Sequence, residues 1–221
     1  MRDHDDVNKF VIMGVQGSGK GTQAKLLAGD LDLEHISVGD IFRWNVQHHT
    51  KRGAHVRRIM AAGELVSDEL VEAVVRDRLD LHDWNFGFII DGFPRNDRQA
   101  AFFLESYDLD AVILLELDDA EVVRRVLARR LCSQCGLDYN LIASRPIIPE
   151  QCDVCGGRLV SREDDTSEAL AARLRTYHEQ TRPIIELFER KEFVARIDAS
   201  QPVEQVRADI RSVLGLDAVR A

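Results

Sequence analysis

Residues 10–22 read Phe10-Val11-Ile12-Met13-Gly14-Val15-Gln16-Gly17-Ser18-Gly19-Lys20-Gly21-Thr22, an apolar run that ends in a glycine-rich turn closed by lysine. The chemistry of such a turn is phosphate binding. Glycines let successive backbone N–H groups converge on one point, a following helix adds its positive N-terminal end, and the lysine reaches the outer phosphates. The context fits, because the apolar residues read as a buried strand and Gln23-Ala24-Lys25-Leu26-Leu27 continues as a helix. Gly17, Ser18, Gly19, Lys20, Gly21 and Thr22 are therefore candidate nucleotide-binding residues. The position after the lysine, where most such loops carry a magnesium-binding hydroxyl, is Gly21, and the hydroxyl comes one place later at Thr22. A second unit, Phe88-Ile89-Ile90-Asp91-Gly92-Phe93-Pro94-Arg95, puts an acid at a strand end, then a turn, then an arginine. Asp91 is a candidate for orienting magnesium-bound water, and Arg95 for gripping a phosphate through two parallel hydrogen bonds. A third is Cys132-x-x-Cys135, sixteen residues, then Cys152-x-x-Cys155. Two tight knuckles of two thiolates each, at zinc-ribbon spacing, make a closed tetrahedral site with no open position, so a metal there is structural. Zinc is the first choice and iron the second.

These residues need a frame. Strands are expected at 10–13, 35–37, 87–91, 111–117 and 193–198. Helices are expected at 20–30, 39–49, 53–62, 68–81 with Ser67 as N-cap, 96–106 capped by Asn96, 118–130, and a last one with Pro202 in its first turn and Gly215 at its end. Continuous apolar strands separated by helices imply a parallel sheet covered on both faces, with functional residues at the carboxyl ends of the strands. Residues 131–166 break the pattern with Gly136, Pro146, Pro149, Gly156, Gly157 and all four cysteines, and read as an inserted subdomain. Pro183 inside the helical stretch 167–190 is expected to kink it. At 221 residues the chain is long enough for one domain with an insertion. A net charge of −9 and a pI of about 5.3 argue against general nucleic-acid or anionic-membrane binding. No run approaches the ~18 apolar residues of a membrane helix. The acidic start Met1-Arg2-Asp3-His4-Asp5-Asp6 does not read as a signal peptide. Cysteines confined to two tight pairs favour metal over disulfides and a reducing, cytoplasmic setting.

The Gly-Lys-Gly-Thr variant is typical of nucleoside monophosphate kinases, and Asp-Gly-Phe-Pro-Arg is the signature of adenylate kinases and their close relatives. By these motifs the chain resembles the adenylate kinase family over nearly its whole length. The resemblance implies a P-loop core at 1–37, 68–130 and 167–221, a helical acceptor-binding insert at 38–67, and a zinc-bearing lid at 131–166. It implies acceptor contacts from Val38, Arg43, Glu64, Leu65, Val66, Gly92, Phe93, Pro94, Arg95 and Gln99, the last bonding the adenine of AMP. Donor contacts fall on Arg125, Arg129, Asp138, Tyr139 and the backbone carbonyl of Gln201. Ser161-Arg162-Glu163-Asp164-Asp165 and Arg173 match the lid arginines and paired acids. Lys20, Arg95, Arg129, Arg162 and Arg173 are then the catalytic set, with Mg2+ carried by ATP, zinc in the lid, and a monomeric enzyme that binds neither nucleic acid nor membrane. Phosphoryl transfer runs on positioning and charge stabilisation, and a phosphate acceptor is already ionised, so no general base is needed. Asp164 and Asp165 read as lid–core hydrogen-bonding acids.

Three residues depart from the family pattern: Val38 for threonine beside the acceptor base, Gln16 for a proline in the loop, and Gln201 for lysine. Val38 favours UMP or CMP as the acceptor, whereas Gln99 favours AMP. A binding protein that uses the loop as a switch is the remaining alternative, but it has no need of Arg43, Arg95, Arg162 and Arg173 at this spacing.

Overall fold

Near-continuous apolar runs form the central strands, and they pair in parallel. The computed structural model describes residues 8–82, 87–162 and 164–216, so the N-terminal run Met1–Asp6 and Glu163 lie outside the described residues. Strands β1 (Lys9–Gly14), β2 (Glu34–Ser37), β3 (Phe88–Asp91), β4 (Ala111–Glu116) and β8 (Val194–Asp198) form a five-stranded sheet in the order β2-β3-β1-β4-β8, every neighbouring pair parallel. Alternate residues of β1 serve opposite faces. Val11 and Met13 pack with α2 (Val38–Gln47), α4 (Asp68–Leu79), α5 (Asp97–Ser106) and α8 (Pro183–Lys191), whereas Phe10 and Ile12 pack with α1 (Lys20–Leu31) and α9 (Val203–Val213). Helices on both faces leave the carboxyl strand ends as the open rim, where the loops after β1 and β3 carry the glycine turn and Asp91.

Local signals set most boundaries. Ser37 caps α2 by accepting the Asp40 N–H at 3.3 Å, Thr50 caps α3 (Lys51–Ala62), and Asn96 caps α5 by accepting the Gln99 N–H at 2.9 Å. Ser67 holds the N-cap position of α4 without a side-chain cap bond. Pro202 stands just before α9, and Gly215 follows its end at φ 68°.

Two elements differ from expectation. Helix α6 (Asp119–Leu127) ends at Leu127, and Arg129 already opens a strand. That strand, β5 (Arg129–Cys132), pairs antiparallel with β6 (Asp138–Asn140) and β7 (Leu159–Val160) in a separate three-stranded sheet, so the insert captures the last turn of the expected helix. The Pro183 kink takes the form of a π turn at Tyr177–Thr181, between α7 (Ser167–Thr176) and α8. Proline has no N–H to donate and crowds the carbonyl four residues back, and the wider turn, in which Arg182 N–H reaches Tyr177 O at 2.7 Å, absorbs both defects.

Candidate active site

The glycine turn lies between β1 and α1, and Gly19 is the residue that turns the chain into the helix. It holds φ 94° at the N-cap, a left-handed conformation that costs glycine little. Lys20, the first residue of α1, folds back so that its Nζ donates to Val15 O at 2.8 Å. Burial pushes its ammonium down to about 8, with Arg95 and Arg129 adding to the shift and Asp91 opposing it. Asp91 sits directly over the turn: a Cβ placed on Gly21 would lie 3.4 Å from its Oδ2. Ser18 is buried, and its Oγ has no partner among the described residues. Thr22 is exposed.

Around this turn stand five arginines from five separate segments of the chain. Arg95 follows β3; the Phe93–Pro94 peptide before it is cis, and its Nε donates to Gly92 O at 2.8 Å. Its carbonyl accepts the Thr181 hydroxyl at 2.8 Å, so the π turn braces the Gly92-Phe93-Pro94-Arg95 loop from behind. Burial holds the Arg95 guanidinium below its ordinary pKa, and Arg173 and Arg43 push the same way. Arg43, on α2, is paired with Asp40, which more than offsets its burial and raises it, while Asp164 and Asp91 also act on it. Arg162 is lowered by burial and by Arg43 and Arg129; it bonds Asp138, and its buried Nε is unpartnered among the described residues. Lys20, Arg43, Arg95, Arg129, Arg162 and Arg173 are thus within electrostatic reach of one another, although residue 20 and residue 173 lie far apart in the chain.

The paired acids are fully engaged. Asp165 takes a two-pronged hydrogen bond from Arg129, with Nε at 2.8 Å, and a third from Gln16 Nε2 at 3.1 Å. Asp164 is bonded by Arg173; burial would raise its carboxyl, but Arg173 outweighs it and the net shift is downward. Arg173 also donates to Met60 O at 3.1 Å, and a Cβ on Gly63 would come within 2.4 Å of Ala169 O. Helix α3 therefore rests against α7. Gln16 was not singled out from sequence as a functional contact, because its partner lies 149 residues away.

Among the remaining candidates, Val38 and Val66 are buried, Leu65 is half-buried and Glu64 is exposed. Gln99 is buried beside Arg95, its Oε1 accepting the Arg95 backbone N–H at 2.9 Å. Two further candidates are tied into the surrounding scaffold. Arg125 is tied to Glu121 and to the carbonyls of Ala199 (2.8 Å) and Ser200 (3.0 Å), which joins α6 to the loop before α9. Tyr139 turns its hydroxyl to Cys152 Sγ at 3.4 Å and accepts the Asp153 N–H at 2.7 Å. Asp138, its neighbour, lies 3.9 Å from Lys25 of α1. Gln201 bonds Asp198 O and Asp209 through its side chain.

The four cysteines are free thiols whose sulfurs all lie within 4.8 Å of one another, with Cys132···Cys155 at 3.4 Å and Cys135···Cys152 at 3.6 Å. Four sulfurs about 2.3 Å from a tetrahedral ion would be about 3.8 Å apart, so the cage fits a metal of zinc's size. Backbone N–H groups of Gln134 and Cys135 point at Cys132 Sγ, both at 3.5 Å. The Tyr139 hydroxyl pulls the Cys152 thiol down to about 6. Cys135 is pushed up to about 12, its Leu137 backbone bond outweighed by the Cys155 and Cys132 thiols. Clustered thiols cannot ionise together unless a cation sits among them.

Residues 12–193 match the family model for adenylate kinase. The chain belongs to the adenylate kinase family. Its relatives include the adenylate kinases of Thermosipho africanus, 42% identical over 93% of this chain and 98% of that protein, and of Symbiobacterium thermophilum, 41% identical over 96% and 98%. The adenylate kinase of Thermoanaerobacter sp. strain X514 is 40% identical over 94% and 98%. Adenylate kinases are phosphotransferases, and so is this chain. The resemblance carried by Gly-Lys-Gly-Thr and Asp-Gly-Phe-Pro-Arg is borne out, and nothing in the relatives favours a UMP or CMP kinase.

Proposed function

We propose that the cations gathered over the glycine turn transfer a phosphoryl group reversibly from ATP to AMP, giving two ADP. The observation that carries this reading is their convergence, with Lys20, Arg95 and Arg162 all held below their ordinary pKa values. Cations withdrawn from water together, and only partly offset by Asp40, Asp91, Asp138, Asp164 and Asp165, make a site that a polyanion stabilises. Two nucleotides brought phosphate to phosphate supply that polyanion.

Lys20, the Gly17–Thr22 backbone and the unpartnered Ser18 Oγ hold the outer phosphates of the donor, joined by Arg129 at the entry to the lid and Arg162 within it. Arg43 and Arg95 hold the acceptor phosphate, and Arg173 bridges the two sides. Mg2+ arrives with ATP, where it neutralises the donor phosphates, and Asp91 orients its water shell. The acceptor base lies against Val38, Glu64, Leu65, Val66 and Gln99. No base removes a proton, since Asp164 and Asp165 are bound to Arg173 and Arg129. Segments 38–67 and 131–166 close over a core made of 1–37, 68–130 and 167–221, excluding water that would hydrolyse the donor. Arg125 acts by fixing the loop before α9, whose Gln201 carbonyl meets the donor base. Cys132, Cys135, Cys152 and Cys155 hold zinc in a structural role, as a four-thiolate set leaves no open position. We read the chain as a monomeric cytoplasmic enzyme, a setting its free thiols suit.

The test is nucleotide turnover with ATP, with and without AMP, beside CMP, UMP and GMP as acceptors. Two ADP per ATP consumed, only when AMP is present, is expected. A higher kcat/KM for another monophosphate would overturn the acceptor assignment.

A further inference from the structure

Gln99 is anchored in one sense only. Its Oε1 accepts the Arg95 backbone N–H at 2.9 Å, and its Nε2 donates to Asp68 Oδ1 at 2.8 Å. A backbone N–H can only donate and a carboxylate can only accept. Exchanging the two ends of the amide would set donor against donor and acceptor against acceptor. Asp68 is itself held, since Asn96 Nδ2 donates to the same Oδ1 at 2.8 Å while Asn96 Oδ1 caps α5 at the Gln99 N–H. Gln99 is 1% exposed, which leaves its side chain no room to wander.

What remains uncommitted on the amide is one Nε2 hydrogen beside one Oε1 lone pair. That pair complements a ring nitrogen acceptor next to an exocyclic amino group, as in a 6-aminopurine. A 6-oxopurine presents the reverse, a ring N–H next to a carbonyl. We propose that Asp68 is a specificity-determining positioning residue, which locks the Gln99 amide so that the acceptor site takes 6-aminopurine and rejects 6-oxopurine monophosphates. This rests on the reading that Gln99 faces the acceptor base. Val38 gives the lock more weight, because a hydrocarbon at that position offers no second polar group to a reversed base edge. Cytosine shares the amino-beside-acceptor pattern, so the lock sorts by exocyclic group and not by ring size.

The experiment compares AMP with inosine monophosphate, its 6-oxo analogue, as acceptors at saturating MgATP. The parent, Asp68→Ala, Asp68→Asn and Gln99→Ala enzymes are used, with folding checked by circular dichroism. Asp68→Ala should raise KM for AMP and lower the AMP-to-IMP ratio of kcat/KM by about five- to tenfold, the factor carried by one net hydrogen bond. KM for ATP should stay unmoved. Asp68→Asn, whose Oδ1 still accepts from Gln99, should restore the ratio, which a merely helix-stabilising charge would not do. An unchanged ratio in folded Asp68→Ala, or IMP turnover that stays undetectable, overturns the lock. Should the alanine variant not fold, Asp68→Ser, whose hydroxyl stops short of Gln99, carries the same test. If Gln99→Ala leaves the AMP KM and the ratio unmoved, it is the base-facing reading that falls. If Gln99→Ala collapses the ratio and Asp68→Ala does not, only the lock falls.

Discussion

In the core, Val11, Ile89, Ile90, Ile113 and Leu115 have no exposed surface and are packed by helices on both faces of the sheet. In the lid the buried cluster is Cys132, Tyr139, Cys152 and Leu159, while Ile147 and Val154 stand in solvent, 86% and 75% exposed. One region is cohesive because it removes apolar area from water; the other has too little such area and gathers sulfur instead. The difference separates two kinds of dependence. The chemistry proposed for Lys20 and Arg95 rests on the stiff region, and the proposed presentation of Arg129 and Arg162 rests on the soft one. Each can then be broken without the other.

The largest effect is expected from the stiff side. Lys20→Ala and Arg95→Ala should each cost roughly 10²–10³-fold in kcat, by analogy with the loss of one preorganised charge contact to a reacting group. Both should keep the circular dichroism of the parent. Lys20→Ala should also keep or raise the thermal midpoint at neutral pH, since a desolvated ammonium is removed. Near-parental turnover in either variant would sink the role given to that residue.

Stripping the metal, or replacing Cys132 and Cys135 together by serine, attacks the soft side. Structural zinc supplies roughly 10–16 kcal/mol of apparent binding energy to isolated finger peptides, whereas here the core has its own cohesion. Calorimetry should show an early transition for the lid and a later one for the core, with activity down by about tenfold or more as the lid arginines lose their mounting. Metal analysis of the parent should give about one zinc per chain. A metal-free protein with unchanged melting and full activity would return the cysteines to bystanders.

A smaller effect is expected where the two regions touch. Gln16→Ala removes the bond to Asp165, and with it a buried Oε1 that has no partner among the described residues. One net hydrogen bond, partly offset by that relief, should raise KM for ATP about two- to fivefold with kcat near parental. An unchanged KM would show that the loop and the base of the lid are not linked through this amide.

The smallest signal is a proton. Lys20 in the folded chain releases its proton at about 8 against an ordinary 10.5, so between those values the unfolded chain binds more protons. Stability contributed through this group therefore rises as pH climbs through that window, and its burial penalty is fully present below pH 8. Donor phosphates should reverse the shift. ATP binding near pH 8 should take up about half a proton, read by calorimetry in buffers of different ionisation enthalpy. Lys20→Arg should abolish the uptake, and an equal uptake in that variant would assign the proton elsewhere.

What was legible in the sequence was what local chemistry decides. Gly19 and Lys20 mark the phosphate turn because few other residues turn a strand into a helix with N–H groups converging. The cysteine spacing was legible for the same reason, and it forecast a cage that the sulfur distances fit. Asn96 announced its helix because a side-chain oxygen three residues ahead of Gln99 N–H is a local pairing. Long-range pairings were not legible. Gln16 reads as one departure in the loop until Asp165 is beside it, and nothing near Arg125 in the sequence announces its bonds to the Ala199 and Ser200 carbonyls. Arg129 follows helical spacing with Val122 and Val126, and only sheet pairing with Asn140 draws it into a strand. Pro183 announced a defect, but not that the wider turn would brace the Arg95 loop through the Thr181 hydroxyl and a carbonyl 86 residues back.

The order of the strands also has a bearing on how the molecule is made. β4 gains its outer neighbour only from β8, at residues 194–198, whereas all three strands of the lid sheet come from 129–160. A chain leaving the ribosome thus exposes the apolar flank of β4 until long after the lid is complete. At about 5–20 residues per second the interval from β7 to β8 is roughly 2–7 s. During that time the segment 129–160 can already gather its four cysteines, while the main sheet still lacks an edge and Asp30 of α1 still awaits Arg207 and Arg211 of α9. The last part of the main sheet to be translated is therefore the strand that seals it.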